Sequence, residues 1–297
     1  MKCDLCPRKC LVDRKKGEKG ICGQTENLKV ARAALHFWEE PCISGDAGSG
    51  AVFFSGCPLH CVFCQNENIA NGMVGKEISL ERLVDIFLEL QEKRANNINL
   101  VTPGHFVPQI VKALDQARKE GLTLPVVYNT SSYETVDTIK MLEGYVDIYL
   151  PDFKYMSPGL SKKYSHAPDY AEVAKAAIAE MVRQTGKAVF VNGDEDNLIL
   201  RGTIVRHLTL PGCMADSMQI LKYLHDTYGD MIYISIMNQF TPLSNLEKYP
   251  ELNRRITDEE YETLVDYAIE IGIENGFIQE GDTAEESFIP AFDCEGV

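Results

Sequence analysis

The 297-residue chain is short of basic residues: 29 Lys and Arg stand against 44 Asp and Glu, a formal net charge of −15. A nucleic-acid backbone needs a basic footprint, so this balance argues against nucleic acid as the main partner. It disfavours an anionic membrane surface for the same reason. Long hydrophobic runs are missing too, and none approaches the ~18 apolar residues of a membrane span. There is no repeat at fixed spacing and no low-complexity tract. The opening Met1-Lys2-Cys3-Asp4-Leu5-Cys6 lacks the apolar stretch of a secretion signal, which points to a reducing, cytoplasmic setting. With 45% hydrophobic and 25% charged residues the composition is that of an ordinary globular protein. The length suits one large domain, or one domain plus a small module.

What the chain has is cysteine, ten in all. In a reducing compartment, clustered cysteines point to metal binding or catalysis rather than disulfides. Four lie at Cys3, Cys6, Cys10 and Cys22, and three at Cys57, Cys61 and Cys64. Cys42, Cys213 and Cys294 stand alone and read as free thiols, with Cys42 near enough to the first predicted strand for an extra ligand role.

Residues 1–30 have no long apolar period and are expected to form a small module stapled by a metal. Residues 31–50 are expected to be a linker, passing through Trp38-Glu39-Glu40-Pro41 into the Gly-rich loop at 44–50. From 51 to 297, short apolar runs alternate with amphipathic stretches. Strands are predicted at 51–55, 98–102, 124–129, 145–150, 203–210 and 231–237, with a further short one at 188–191 before an acidic insert at 193–197. Helices are predicted from the Ser79 N-cap onward, at 108–119, 134–142, about 160–164, 170–184, 214–228 and 258–274. Alternation repeated about six times predicts parallel βαβ units. The expected fold is therefore α/β, a partial (β/α)6 TIM-like barrel with a small N-terminal Cys-rich module and a C-terminal helix and tail. In such folds the C-terminal strand ends carry the site.

The first of these strands runs into Gly56-Cys57-Pro58-Leu59-His60-Cys61-Val62-Phe63-Cys64, a CxxxCxxC spacing. Three thiolates on one tight loop suit a 4Fe-4S cluster with one iron left open, whereas four would close every iron. The plainer alternatives are buried thiols or a zinc ion with His60 as fourth ligand. Cys3, Cys6, Cys10 and Cys22 form CxxCx3Cx11C, four soft ligands able to close a second 4Fe-4S cluster or a zinc ion. That site either staples residues 1–30, relays an electron or contacts substrate.

The spacing, the aromatic Phe63 before the last cysteine and the strand–loop placement resemble the radical S-adenosylmethionine (radical SAM) superfamily. Gln65-Asn66 after Cys64 looks like the branch related to the pyruvate formate-lyase activating enzyme. Cys3-Asp4-Leu5-Cys6-Pro7-Arg8-Lys9-Cys10, Asp13-Arg14, Gly17, Gly20 and Cys22 are similar to uncharacterised activating-enzyme-like proteins. So are Trp38-Glu39-Glu40-Pro41-Cys42-Ile43-Ser44-Gly45, Arg206-His207-Leu208 and the tail Ile289-Pro290-Ala291-Phe292-Asp293. The resemblance implies a cluster on Cys57, Cys61 and Cys64 whose open iron is chelated by S-adenosylmethionine. It also implies an electron from a flavodoxin or ferredoxin, and hydrogen abstraction from a substrate. The substrate is a glycyl residue of a partner enzyme, a peptide or a small molecule. A non-catalytic zinc-binding adaptor is the alternative from another class.

The strand ends offer partners for the cofactor. Family members often carry Gly-Gly-Glu after the second strand. Here Thr102-Pro103-Gly104-His105 holds no acid, so Thr102 and backbone carbonyls stand in. Asn129 and Ser131 follow the third strand with groups suited to ribose or carboxylate, and Ser131 or Ser132 is also expected to cap the next helix. Asp152 and Lys154 resemble the Asp-x-Lys of the activating enzyme, and on an extended segment they point the same way. Arg201 or Arg206 could pair with the cofactor carboxylate. His207 and Gln239 are further candidates, Phe63 is placed for the adenine, and His105 and His166 are expected to stand farther off.

Overall fold

The computed structural model describes residues 2–194, 197–242, 246–279 and 290–297. Glu195 and Asp196 of the acidic insert and Ile289 of the tail lie outside the described residues. In chain order the elements begin with β1 (Leu28–His36), α1 (Pro41–Ser44), β2 (Ser49–Phe54), α2 (Glu67–Ala70), β3 (Lys76–Ile78) and α3 (Leu80–Glu92). Then come β4 (Ile98–Val101), α4 (Val107–Lys119), β5 (Val126–Thr130), α5 (Val136–Lys140), β6 (Ile148–Pro151), α6 (Pro158–Ser165) and α7 (Tyr170–Thr185). The last are β7 (Val189–Phe190), β8 (Ile199–Leu208), α8 (Met214–Tyr228), β9 (Tyr233–Met237), α9 (Asp258–Glu270) and β10 (Gly276–Ile278).

The sheet runs β10-β9-β8-β6-β5-β4-β2-β1-β3, with β7 antiparallel on β8. From β2 to β10 every neighbour is parallel, while β1 and β3 are antiparallel at the other edge. The two edges do not meet, so this is the open, partial TIM-like barrel the alternation predicts. β10 was not foreseen, because three residues carry no period of their own.

Strand periodicity sorts the side chains into two layers. Ile98, Leu100, Val126, Tyr128 and Tyr149 point outward and pack under α3 and α4 with Leu83, Phe87, Ile110 and Leu114. Val205, Ile234 and Ile236 pack outward with Ile220, Leu221 and Leu264 of α8 and α9. Val127, Ile148, Leu150, Ile204 and Tyr233 point inward and meet Cys42 and Ile43 of α1, which plugs one end of the lumen. Both layers are apolar, as expected for parallel strands covered on both sides. Ser79 caps α3 by accepting from the Arg82 amide at 3.1 Å, a contact whose loss would destabilise by about 1 kcal/mol.

Three expectations need correction. Residues 31–50 are not a linker: 31–36 belong to β1, where His36 pairs with Ser49, and 41–44 form the plug. The Ala-rich β1, Leu28-Lys29-Val30-Ala31-Arg32-Ala33-Ala34, has low strand propensity and is formed by pairing with β2. The expected boundary of the N-terminal module at residue 30 falls inside a strand, since Leu28–Val30 already belongs to β1. Finally, Ser131 and Ser132 do not cap α5: Thr135 does, accepting from the Thr138 amide at 3.3 Å. Among the described residues, no helix is long and apolar enough to cross a membrane.

Candidate functional site

Cys57, Cys61 and Cys64 leave the end of β2 and line one cavity of about 370 Å³ inside the half-barrel. The turn that aims them begins at Gly56, with φ +95°. A Cβ there would stand 2.5 Å from the Cys22 carbonyl oxygen, so only glycine allows the N-terminal segment to lie this close. Burial pushes the Cys57 thiol up to about 11 and the Cys64 thiol up to about 12, while Lys154 pulls both down. The Cys61 sulfur accepts from the Ser165 hydroxyl at 3.0 Å. The His60 ring bonds Asn71 Oδ1 at 3.0 Å and the Ile21 carbonyl at 2.7 Å, so both nitrogens are committed and it is no fourth ligand. Among the described residues, no three His, Cys, Asp or Glu side chains converge on a single-ion site. The three thiols share one cavity wall with a hydroxyl donor and a lysine beside them.

The walls and floor of the cavity carry a linked charge network. Asp152 at the end of β6 pairs with Lys154 Nζ at 2.7 Å and with Arg206 Nε at 3.2 Å. Arg206 also donates to Glu39 at 2.9 Å and to Asn129 Oδ1 at 2.5 Å. Glu39 Oε1 accepts from Asn99 at 2.9 Å and from Asn129 at 3.2 Å. Burial works against the charge of Asp152, but Lys154 and Arg206 outweigh it and hold the carboxyl below its ordinary value. Burial likewise opposes the charges of Lys154 and Arg206, and Asp152 keeps both above their ordinary values. Thr102, just past β4, lies in the left-handed region at φ 55°, a strained setting for a β-branched residue. Its amide donates to the Asn129 carbonyl at 2.9 Å.

Of the expected cofactor partners, Phe63, Thr102, Asn129, Ser131, Asp152, Lys154, Arg206 and Gln239 all line this cavity. Phe63 also meets Tyr155, Tyr164 and Phe240 edge-on. Gln65 bonds the Gln239 carbonyl at 2.9 Å. His207 is a correction: strand alternation turns it outward when Arg206 points inward. Its ring bonds the Phe153 carbonyl at 2.8 Å and the Ser217 hydroxyl at 2.9 Å, and burial pushes it down to about 4. Arg201 also points away from the cavity, donating to the Thr185 carbonyl at 2.6 Å. His105 is buried and bonds the Ser55 carbonyl at 2.7 Å, and His166 closes α6 in a left-handed conformation.

The N-terminal cysteines line none of this cavity. Cys6 feels Cys22 and Cys10, and Cys22 feels Cys3 and Cys10, so the four thiols form one electrostatic group. Burial pushes Cys6 up to about 12 and raises Cys22. The segment is docked over the strand ends. Arg8 donates to the carbonyls of Pro58, His166 and Ser165 at 2.9, 2.6 and 3.0 Å and lies over the Tyr133 ring. Arg14 bonds the carbonyls of His105 and Thr25. The Thr138 hydroxyl holds the Leu5 carbonyl at 2.6 Å. Beneath Cys6, the buried Glu134 sits against Gly104, where any side chain would collide with the carboxylate.

Sequence reasoning missed Glu39, Glu40, Arg8 and Ser165 as site residues. The first two had a signal: adjacent acids before a proline, in a segment otherwise destined for the interior. Arg8 acts through contacts 50 or more residues away in sequence and Ser165 reaches Cys61 across 104, and nothing local marks them.

Residues 51–197 match the family model of the radical SAM superfamily. An uncharacterised protein of Methanocaldococcus jannaschii is 27% identical over 275 residues, covering 90% of this chain and 74% of that one. Streptococcus suis SuiB bound to S-adenosylmethionine superposes with a TM-score of 0.52 at 13% identity, covering 80% of this chain and 51% of that one. HydG, a maturase of the FeFe hydrogenase, gives 0.51 at 15% identity, covering 78% and 52%. The chain thus spans about half the length of these solved chains, and at such identities the likeness concerns the fold.

Proposed function

The chain belongs to the radical SAM superfamily, and from that premise we propose that Cys57, Cys61 and Cys64 hold a 4Fe-4S cluster at which S-adenosylmethionine is cleaved reductively. The observation that carries this reading is three thiols on one loop facing a cavity whose other walls present Asn129, Asp152, Lys154 and Arg206. When bound, the cluster and S-adenosylmethionine together supply one-electron cleavage of the sulfonium and a 5′-deoxyadenosyl radical that takes a hydrogen atom from substrate. The protein's part is to bind, orient and exclude water. Lys154 places a positive charge beside the cysteine sulfurs. Ser165 donates to one of those sulfurs. Asn129 and the Asp152–Lys154 pair offer acceptors and donors for an amino-acid moiety and a ribose. Phe63 and the aromatic residues behind it keep that wall apolar and rigid.

The Cys3, Cys6, Cys10 and Cys22 site is read as closed, holding a second 4Fe-4S cluster or a zinc ion. A flavodoxin or ferredoxin in the cytoplasm would supply the electron. The substrate class runs from a glycyl residue of a partner, in an activase-like role, to a peptide or a small molecule. Because α1 plugs one end of the lumen, any of these enters from the strand-end mouth. The test is anaerobic reconstitution with iron and sulfide, then assay for 5′-deoxyadenosine with dithionite. Formation of 5′-deoxyadenosine is expected; a protein that takes up zinc alone and yields none would overturn the reading in favour of an adaptor.

A further inference from the structure

The closed end of the lumen holds a carboxyl group with one oxygen that the protein leaves without a hydrogen-bond partner. The charged side chains lining the cavity, with His36 neutral through burial, are Glu39, Glu40, Asp152, Lys154 and Arg206. Four of the five are matched to one another. Lys154 is bound to Asp152. Arg206 spends Nε on Asp152, Nη1 on Glu39 and Nη2 on Asn129. Glu39 is further held by Asn99 and Asn129. That leaves Glu40, which is 8% exposed and has no hydrogen-bond partner at Oε2. Three carboxyl groups therefore face two cations.

A buried carboxyl oxygen without a donor is costly, and proteins do not commonly keep one idle. The site around it is built rather than accidental. Pro41 starts α1 immediately after Glu40 and fixes the backbone there. Ser235, on β9, donates its hydroxyl to the carboxyl group and leaves Oε2 unserved, its own oxygen free to accept. Phe277, Ile278 and Trp38 line the same cavity with apolar surface. The missing complement is one positive charge with hydrogen-bond donors, on an apolar stem.

We propose that Glu40 anchors a substrate subsite at the closed end of the lumen, taking a primary ammonium group with Ser235 as a second acceptor. This rests on reading the cavity as the place where substrate meets the radical, and it names the chemistry that substrate must carry. An ammonium offers three donors and no acceptor, which fits Glu40 Oε2 together with the Ser235 oxygen. The ammonium belongs either to a free alkyl amine or to a lysyl side chain.

Trp38 provides the probe. It is the chain's single tryptophan, lines this cavity and stands two residues from Glu40. Reconstituted full-length protein is titrated with n-butylammonium, 1-butanol and butyrate while Trp38 fluorescence is followed. A saturable change with n-butylammonium alone is expected. In Glu40→Gln the same titration should weaken at least about tenfold. Equal response to 1-butanol, or no response to n-butylammonium, overturns the proposal, and so does an unchanged curve in Glu40→Gln. If that variant does not fold by circular dichroism, the wild-type comparison of the three isosteres decides alone. Nα-acetyl-lysine N-methylamide binding more tightly than n-butylammonium assigns a lysyl side chain; the reverse order assigns a small amine. The cofactor reading is judged separately by 5′-deoxyadenosine formation, so either can fail while the other stands.

Discussion

Cys57, Cys61 and Cys64 line the cavity, whereas Cys3, Cys6, Cys10 and Cys22 lie outside it, within the docked N-terminal segment. Burial raises Cys6, Cys57 and Cys64 alike, and the electrostatics differ in the charged neighbour. Lys154 lowers the Cys57 and Cys64 thiols against burial, and a hydroxyl points at Cys61. Burial raises Cys6, and the Glu134 carboxyl raises it further. Three thiolates would leave one iron of a four-iron cluster open for chemistry, and four would close every iron. The comparison teaches that place rather than exposure separates the two sets: three thiols line the lumen, and four sit in a segment held against the strand ends.

The sharpest way to break this contrast is to remove one cysteine from each set. Cys57→Ala is expected to reduce 5′-deoxyadenosine formation to background. Cys6→Ala is expected to retain cleavage while lowering the melting temperature, because a structural metal contributes folding energy directly. Cleavage lost equally in Cys6→Ala, with the other cluster intact by electron paramagnetic resonance, would show that the two sites act as one.

A smaller effect separates the regions by pH. Burial pushes Glu134, under Cys6, up to about 7. A carboxyl group with a raised folded value is happiest neutral, so its contribution is lost as pH rises from its ordinary value through about 7. That loss amounts to about 3 kcal/mol if the whole shift is realised. Asp152, in the cavity, has the opposite sign: its value is held below the ordinary one, so its contribution is lost as pH falls. Urea melts across pH are expected to show Glu134→Gln removing the alkaline-side decline, and Asp152→Asn removing part of the acid-side decline. Glu134→Gln leaving the pH profile unchanged would remove Glu134 as the buried acid.

Much of the fold was legible because parallel strands covered on both faces write nearly continuous apolar runs, and helices between them write a 3.6-residue period. The cysteine loop was legible because its ligands lie within eight residues. Asp152 and Lys154 were legible because extended alternation sends both to one side. β1 and β10 were not, since one is alanine-rich and the other only three residues long, and pairing decides both. Glu39 and Glu40 looked like linker residues because their burial depends on α1 entering the lumen, a tertiary event. His207 was misplaced by one step of the strand register, the smallest error that moves a side chain to the other face.

The smallest expected effect tests whether the two cysteine sites are as separate as their surroundings suggest. Ser165 is fully buried, donates to the Cys61 sulfur at 3.0 Å and shares a 2.7 Å hydrogen bond with the Tyr155 hydroxyl. Its own carbonyl accepts from Arg8, which lies between Cys6 and Cys10. Hydrogen bonds to ligand sulfurs tune the potential of an iron–sulfur cluster. Ser165→Ala takes a donor from Cys61 and leaves that sulfur richer in electrons, so the reduction potential should move to more negative values in a redox titration. The stability loss should be only about 1 kcal/mol, the net worth of one hydrogen bond. Arg8→Met keeps the Ser165 hydroxyl and frees its carbonyl. If the docked segment is only a staple, Arg8→Met lowers the melting temperature and leaves the potential where it was. A potential shift in Arg8→Met equal to that in Ser165→Ala would mean that the covered cysteine segment sets the chemistry of the open one through a single arginine.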